Sequence, residues 1–116
     1  MKPNNTWIKD WMIGENPSKE KRLGKDFLEI FNTFWIESDL DNKSKSTMNR
    51  YSGALHALGG HLVEKGIYEE PNMTSMELLL DNISEFEGPL IHHHNEAWQN
   101  ELDMVSKKLC KHIKSS

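Results

Sequence analysis

Residues 46–66 read STMNRYSGALHALGGHLVEKG, and this stretch decides the fold of the chain. Its large apolar side chains recur at steps of three and four residues, which places them on one face of an α-helix. That stripe consists of Tyr51, Leu55, Leu58 and Leu62. Gly66 follows as a candidate left-handed residue that closes the helix. We therefore predict a helix from about Ser46 to Lys65 that buries one face.

A second face of this predicted helix carries small residues. These are Gly53, Ala54, Ala57, Gly59 and Gly60. Two adjacent glycines in a helix interior lower its stability by roughly 2 kcal/mol relative to alanines, so another interaction has to offset this loss. We expect that interaction to be the close approach of a neighbouring helix. A kink or a binding groove at Gly59-Gly60 is the alternative.

A long helix is predicted upstream, from about Lys19 to Glu37. Ser18 is a candidate N-cap, because its hydroxyl can accept a hydrogen bond from the first free backbone amides. The apolar stripe of this helix consists of Leu23, Phe27, Ile30, Phe31 and Phe34. A polar loop over residues 38–44 ends it, since Asp and Asn side chains compete for backbone hydrogen bonds.

Two more helices are predicted downstream. Thr74 and Glu77 have the spacing of a capping box, which indicates a helix from about Ser75 to Phe86. Its predicted inward side chains are Met76, Leu79, Leu80 and Ile83. After the break at Gly88-Pro89 the last helix should run from about Leu90 to Ile113. Its predicted inward face consists of Ile91, His94, Trp98, Leu102, Val105 and Leu109.

Composition places these helices in one all-α domain. The chain has 116 residues, of which 36% are hydrophobic and 28% charged, which suits one modest core. β-branched residues are scarce and no segment alternates apolar with polar side chains, so no strand is predicted. Cys110 is the only cysteine, which rules out an intramolecular disulfide and a Cys-based zinc site. No apolar run approaches the length of a membrane span and no signal peptide is recognisable, so we expect a cytoplasmic protein that does not enter a membrane.

Charge is unevenly distributed along the chain. The net charge is −4, yet residues 66–106 contain nine acidic side chains and no Lys or Arg. Positive charge lies in residues 19–25, 43–50 and 107–114. Such polarity either reflects solvated helix faces or bears on the choice of partner.

The N-terminal residues form a separate amphipathic segment. We divide the chain into an arm over residues 1–16 and a four-helix domain over residues 17–116. Trp7 and Trp11 lie in the arm at helical spacing. They either pack back on the bundle, which we expect because exposed Trp pairs are rare on monomers, or dock on a partner.

A metal site is the main chemistry that the histidines suggest. His92 and Glu96 are four residues apart and would share a face of the predicted last helix. A transition-metal ion would need further ligands from other helices, such as His56 or His61. Satisfied or solvated histidines are the alternative. We find no phosphate loop, nucleophile motif or clustered acid pair, so we predict no enzyme and no cofactor.

The central helix and its flanks resemble a known domain. Ser46-Thr47 opens the helix, the stripe from Tyr51 to Leu62 follows, and Gly66-Ile67 closes it. This pattern is similar to the N-terminal core-binding (SAM-like) helical domain of tyrosine recombinases, the phage integrases. Asp26-Phe27-Leu28 and the helix over 74–80 occur in the order that domain would have, so the resemblance spans about residues 26–86.

The resemblance implies an all-helical DNA-binding domain without recombinase chemistry, because the chain has no counterpart of the family's catalytic domain. It would make Lys43, Lys45 and Arg50 the phosphate contacts. The net negative charge of the chain argues against this function, since a domain that clasps duplex DNA needs Lys and Arg to neutralise phosphates.

Three functions are therefore compatible with the sequence. The first is a non-catalytic helical module that acts through protein contacts, including self-association as a homodimer. Its predicted interaction surface consists of Trp7, Trp11, Gly53, Ala57 and Gly60. The alternatives are nucleic-acid binding through the three basic residues and a metal-binding bundle built on His92 and Glu96.

Overall fold

Five helices supply the regular structure of residues 2–115, the part of the chain that the computed structural model describes. They are α1 (Thr6–Trp11), α2 (Pro17–Glu37), α3 (Lys45–Tyr68), α4 (Ser75–Asn82) and α5 (Glu96–Lys114). A short 3-10 helix, Leu40–Asn42, joins α2 to α3. The radius of gyration is 13.3 Å, close to the roughly 13 Å expected of one compact domain of this length. The all-α, single-domain fold with a short N-terminal helix is confirmed.

Helix α2 begins two residues earlier than the sequence predicted. Asn16 is its N-cap, and the side-chain oxygen of Asn16 accepts a hydrogen bond from the backbone N–H of Lys19 at 3.3 Å. Pro17 occupies the first turn, where its missing N–H has no partner to lose. The prediction of Ser18 as the cap is therefore wrong, because Ser18 already lies inside the helix.

Helix α3 is the centre of the bundle and packs against α2, α4 and α5. Its cap is Ser44, which accepts from the backbone N–H of Thr47. The predicted closure at Gly66 is wrong, since the helix continues to Tyr68. Gly66 instead permits close packing: a Cβ atom there would lie 2.9 Å from a methyl carbon of Leu23 and 2.9 Å from one of Leu78.

Helix α4 has the predicted capping box but ends at Asn82 rather than at Phe86. Of its four predicted inward side chains, Leu79 and Ile83 are buried, together with Leu78, whereas Met76 and Leu80 are partly exposed. The four-residue spacing of Met76 and Leu80 keeps them together on the outer side of this short helix.

Helix α5 begins at Glu96, six residues later than predicted, with Asn95 as its N-cap. Residues 83–95 form an irregular segment that packs back along α5, so Ile91 and His94 do not belong to the helix face. Gly88 makes this approach possible, because a Cβ atom there would lie 2.3 Å from the Ser106 hydroxyl.

The core is continuous across the bundle. Its largest fully buried side chains are Trp35, Phe27, Phe31, Phe34, Leu23, Leu55, Leu58, Leu62, Leu78, Leu79, Leu102 and Leu109. All four members of the stripe of α3 are buried, as the spacing predicted. Within residues 2–115, no helix combines the length and the apolar composition that a membrane crossing needs.

Candidate functional site

The small-residue face of α3 is divided between a covered half and an open half. Helix α1 covers the first: Trp11 is 4% exposed, and a Cβ atom on Gly59 would lie 2.2 Å from its ring. The Trp11 indole N–H also donates to the backbone oxygen of His56 at 2.8 Å. Trp7 is equally buried and meets Trp11 edge to face. The arm therefore packs back on the bundle, and neither Trp side chain is available to a partner.

A buried carboxylate holds the loop that connects α1 to α2. Glu20 accepts hydrogen bonds from the backbone N–H groups of Ile13, Gly14 and Asn16. Burial alone would raise the pKa of Glu20, but the N–H donors outweigh it and the pKa lies below its ordinary value. An ionised Glu20 thus stabilises the conformation that brings α1 onto α3.

The open half of the small-residue face forms a groove with the beginning of α5. We call it the Trp98 groove; its lining residues are Asn49, Gly53, Ala54, His92, Trp98 and Glu101. Its volume is about 330 Å³. A Cβ atom on Gly53 would meet no atom within 4 Å, so α3 presents bare backbone there. Of the interaction residues that the sequence predicted, Gly53 lies in this groove, Gly60 lies against Trp11, and Ala57 is half-buried.

Trp98 differs from the other three tryptophans in being 59% exposed, whereas they are buried. The sequence predicted it on the inward face, but it lies in the first turn of α5, beyond the end of the core. The His92 ring meets its indole at a centroid distance of 5.6 Å and an interplanar angle of 75°. Trp98 also borders a second hollow, which is lined by residues 91–95 as well.

Gln99 fixes the segment that carries His92. Its side-chain oxygen accepts from the backbone N–H groups of Ile91 and His92, at 3.1 and 3.0 Å. Its amide nitrogen donates to the Pro89 carbonyl and to Asp103. Gln99 and Glu101 were not among the predicted site residues, since a polar residue in a helix carries no periodic signal.

The residues predicted as metal ligands do not lie together in the structure. His92 and Glu96 were expected to share a helix face, and this is wrong because α5 starts only at Glu96. Across residues 2–115, no three His, Cys, Asp or Glu side chains lie close enough together to hold a metal ion. His56 instead lies 2.9 Å from Asp10, a contact between α3 and α1.

The basic candidates divide into two groups. Lys43 and Lys45 are exposed on either side of Ser44, at the N-terminus of α3. Arg50 lies elsewhere on the helix, with its Nε atom 3.6 Å from the Glu101 carboxylate at the rim of the Trp98 groove. Of the three residues, Arg50 is therefore the one that a carboxylate of the chain already contacts.

A larger cavity lies between α2, the beginning of α4 and the end of α5. Its volume is about 450 Å³, and Ser75 donates to the Asp26 carboxylate in its wall at 2.6 Å. His112 lies 3.1 Å from Glu37, and it also lines this cavity. Aromatic rings are few and the polar groups already contact one another, so this cavity indicates no particular ligand.

Comparison of the chain with protein-family models, with curated proteins and with solved structures gave no match. The resemblance of residues 26–86 to the core-binding domain of tyrosine recombinases therefore stays a prediction.

Proposed function

We propose that the chain is a non-catalytic protein-contact module whose contact surface is the Trp98 groove. One observation carries the proposal: Trp98 is 59% exposed beside the open backbone of Gly53, while the other three tryptophans are buried. Tryptophan is among the residues that contribute most to binding energy at protein interfaces, where it fills a pocket on the partner or accepts a partner's side chain.

Two further large apolar side chains are exposed on the irregular segment before α5. Leu90 is 62% exposed and Phe86 is 80% exposed, on the chain that leads to His92. Phe86 and Leu90 lie on residues 83–95, and Trp98 lies on the helix that follows. Three exposed side chains of this size are unusual for a small monomer, since large apolar groups at a surface mark contact sites. The proposed partner is another protein or a second copy of the chain.

Site-specific photocrosslinking tests the proposal. A benzophenone-bearing amino acid replaces Asn49, which is exposed and lines the groove, and in a control it replaces the exposed Lys21 on α2. We expect a discrete crosslinked species from position 49 and not from position 21. Light scattering shows whether the partner is a second copy.

The partner found in this way is then purified and titrated against the chain. The Trp98→Ala variant should bind the partner at least tenfold more weakly, because truncating a Trp at the centre of an interface typically costs about 2 kcal/mol of binding free energy. A crosslink pattern that is the same at both positions, or binding that Trp98→Ala leaves unchanged, would refute the proposal.

Nucleic-acid binding is a second candidate, and the N-terminus of α3 favours it. Lys43 and Lys45 flank the cap there, and the first turn of α3 contains no acidic residue to offset the positive end of the helix dipole. Under this function a labelled DNA duplex binds at low salt, binding weakens steeply as salt rises, and the Lys43→Ala/Lys45→Ala variant loses it. Arg50→Ala is the matched control, because Arg50 already contacts Glu101. Absence of binding at low salt eliminates this candidate.

A further inference from the structure

The Trp98 groove combines an aromatic ring with a carboxylate. Trp98 and Glu101 are one helical turn apart on α5, and both line the groove. The face of an indole ring carries partial negative charge and attracts cations, and Trp does so more strongly than Tyr or Phe. With more than half of its surface exposed, the Trp98 ring offers this charge to a partner.

The floor and the wall of the groove leave room for an extended side chain. Gly53 has no side chain and no neighbour within 4 Å of its Cβ position, so α3 does not obstruct the space beside the indole. His92 meets the same indole nearly perpendicularly, which gives the groove a second aromatic wall. A volume of about 330 Å³ accommodates the methylene chain and the charged end of one long side chain.

A cation of the chain itself already lies at this carboxylate. Arg50 Nε is 3.6 Å from Glu101, and their side chains are 59% and 39% exposed. Exposed ion pairs of this kind contribute little to stability, so a partner's cation can replace Arg50 at small cost. The segment that supplies Trp98 and Glu101, residues 66–106, has nine acidic residues, Glu101 among them, and no Lys or Arg, which favours a positively charged partner.

We propose that the Trp98 groove binds a cationic side chain, lysine or arginine, which a partner protein inserts between the Trp98 indole and the Glu101 carboxylate. This inference rests on the proposed function, because it names the chemistry of the partner at the same surface.

Proton–nitrogen NMR with small probes tests the proposal directly. The probes are the N-acetyl methylamides of lysine, arginine and norleucine, where norleucine keeps the chain length of lysine and lacks its charge. The indole N–H of Trp98 is the reporter, identified by its loss in Trp98→Phe, and the Gly53 backbone amide is a second one. The indoles of Trp11 and Trp35 are internal references, since each donates to a fixed partner at 2.8 Å.

We expect the lysine and arginine probes to shift the Trp98 and Gly53 signals and to leave the reference signals in place. The lysine probe should bind roughly 2- to 30-fold more tightly than the norleucine probe, which is the range that cation–π contacts give. Glu101→Gln should weaken lysine binding and spare norleucine binding. Glu87→Gln is the matched control, because it removes the same charge from an exposed residue outside the groove.

Two results would overturn the inference. One is equal affinity for lysine and norleucine, which would make the groove an apolar contact; the other is the absence of any Trp98 shift with the cationic probes. Either result leaves the proposed function standing if the crosslink at position 49 still depends on Trp98. Conversely, lysine binding without a crosslinked partner would keep the cation site and remove the protein-contact function.

Discussion

The two halves of the small-residue face of α3 should respond in opposite ways to the same substitution. Gly53→Ala and Gly59→Ala each add one methyl group to one helix, six residues apart. At position 53 the methyl group meets no atom within 4 Å, whereas at position 59 it would lie 2.2 and 2.5 Å from two carbons of the Trp11 ring. Both distances are shorter than any van der Waals contact, so the ring has to leave its place.

The magnitudes follow from helix propensity and from packing. Alanine is favoured over glycine by about 1 kcal/mol in a helix interior, so Gly53→Ala should raise the free energy of unfolding by about that amount. Gly59→Ala has the same intrinsic gain but displaces a buried Trp, and truncating a buried Trp costs about 3–5 kcal/mol. The net effect of Gly59→Ala is then a loss of about 2–4 kcal/mol.

Urea denaturation followed by far-ultraviolet circular dichroism measures both variants on the same scale. Tryptophan emission adds an independent readout, since a displaced Trp11 becomes exposed and its emission shifts to longer wavelength, while Gly53→Ala leaves it buried. If Gly59→Ala proves as stable as Gly53→Ala, with unchanged emission, then the Trp11 ring does not lie against Gly59 and α1 does not cover this part of α3.

Two further regions give predictions of the same kind. Glu20→Gln should lower the free energy of unfolding by about 2 kcal/mol in chemical denaturation, because the Gln amide nitrogen cannot accept from the backbone N–H groups that the carboxylate holds. The pKa of Glu20 is lowered in the folded chain, so its contribution to stability is complete above the ordinary carboxyl pKa of about 4.3 and is lost as pH falls through the folded pKa. A plot of the free energy of unfolding against pH should therefore fall less steeply at acid pH in Glu20→Gln than in the unsubstituted chain. Parallel plots would contradict this. Gln99→Ala should speed hydrogen exchange at the backbone amides of Ile91 and His92 roughly tenfold or more, because both amides lose their acceptor. Hydrogen-exchange mass spectrometry measures this rate. Unchanged protection would show that Gln99 does not hold this segment.

The stretch over residues 46–66 was predictable because it obeys one periodicity throughout. The stripe from Tyr51 to Leu62 is buried as its spacing indicated, and the cost of Gly59-Gly60 correctly implied a close neighbour. The identity of that neighbour was not determined by the pattern, since the short helix α1 gains its stability from docking rather than from its own propensity. Capping residues were predicted only in part: the Thr74/Glu77 box is present, but at α2 an Asn two residues earlier replaced Ser18.

The irregular segment over residues 83–95 escaped prediction for a reason that also concerns function. Its apolar residues match a helical pattern, which is why the last helix was predicted to begin near Leu90 with Trp98 on its inward face. Instead, the side chain of Gln99 satisfies the backbone of residues 89–92, which removes the need for helical hydrogen bonds there. The helix begins only at Glu96, so Trp98 lies in its first turn, beyond the edge of the core, and is exposed in the groove beside Gly53. Gln99 therefore fixes the segment whose His92 contacts the exposed Trp98 ring, and no periodicity in the sequence predicts that role for a polar side chain.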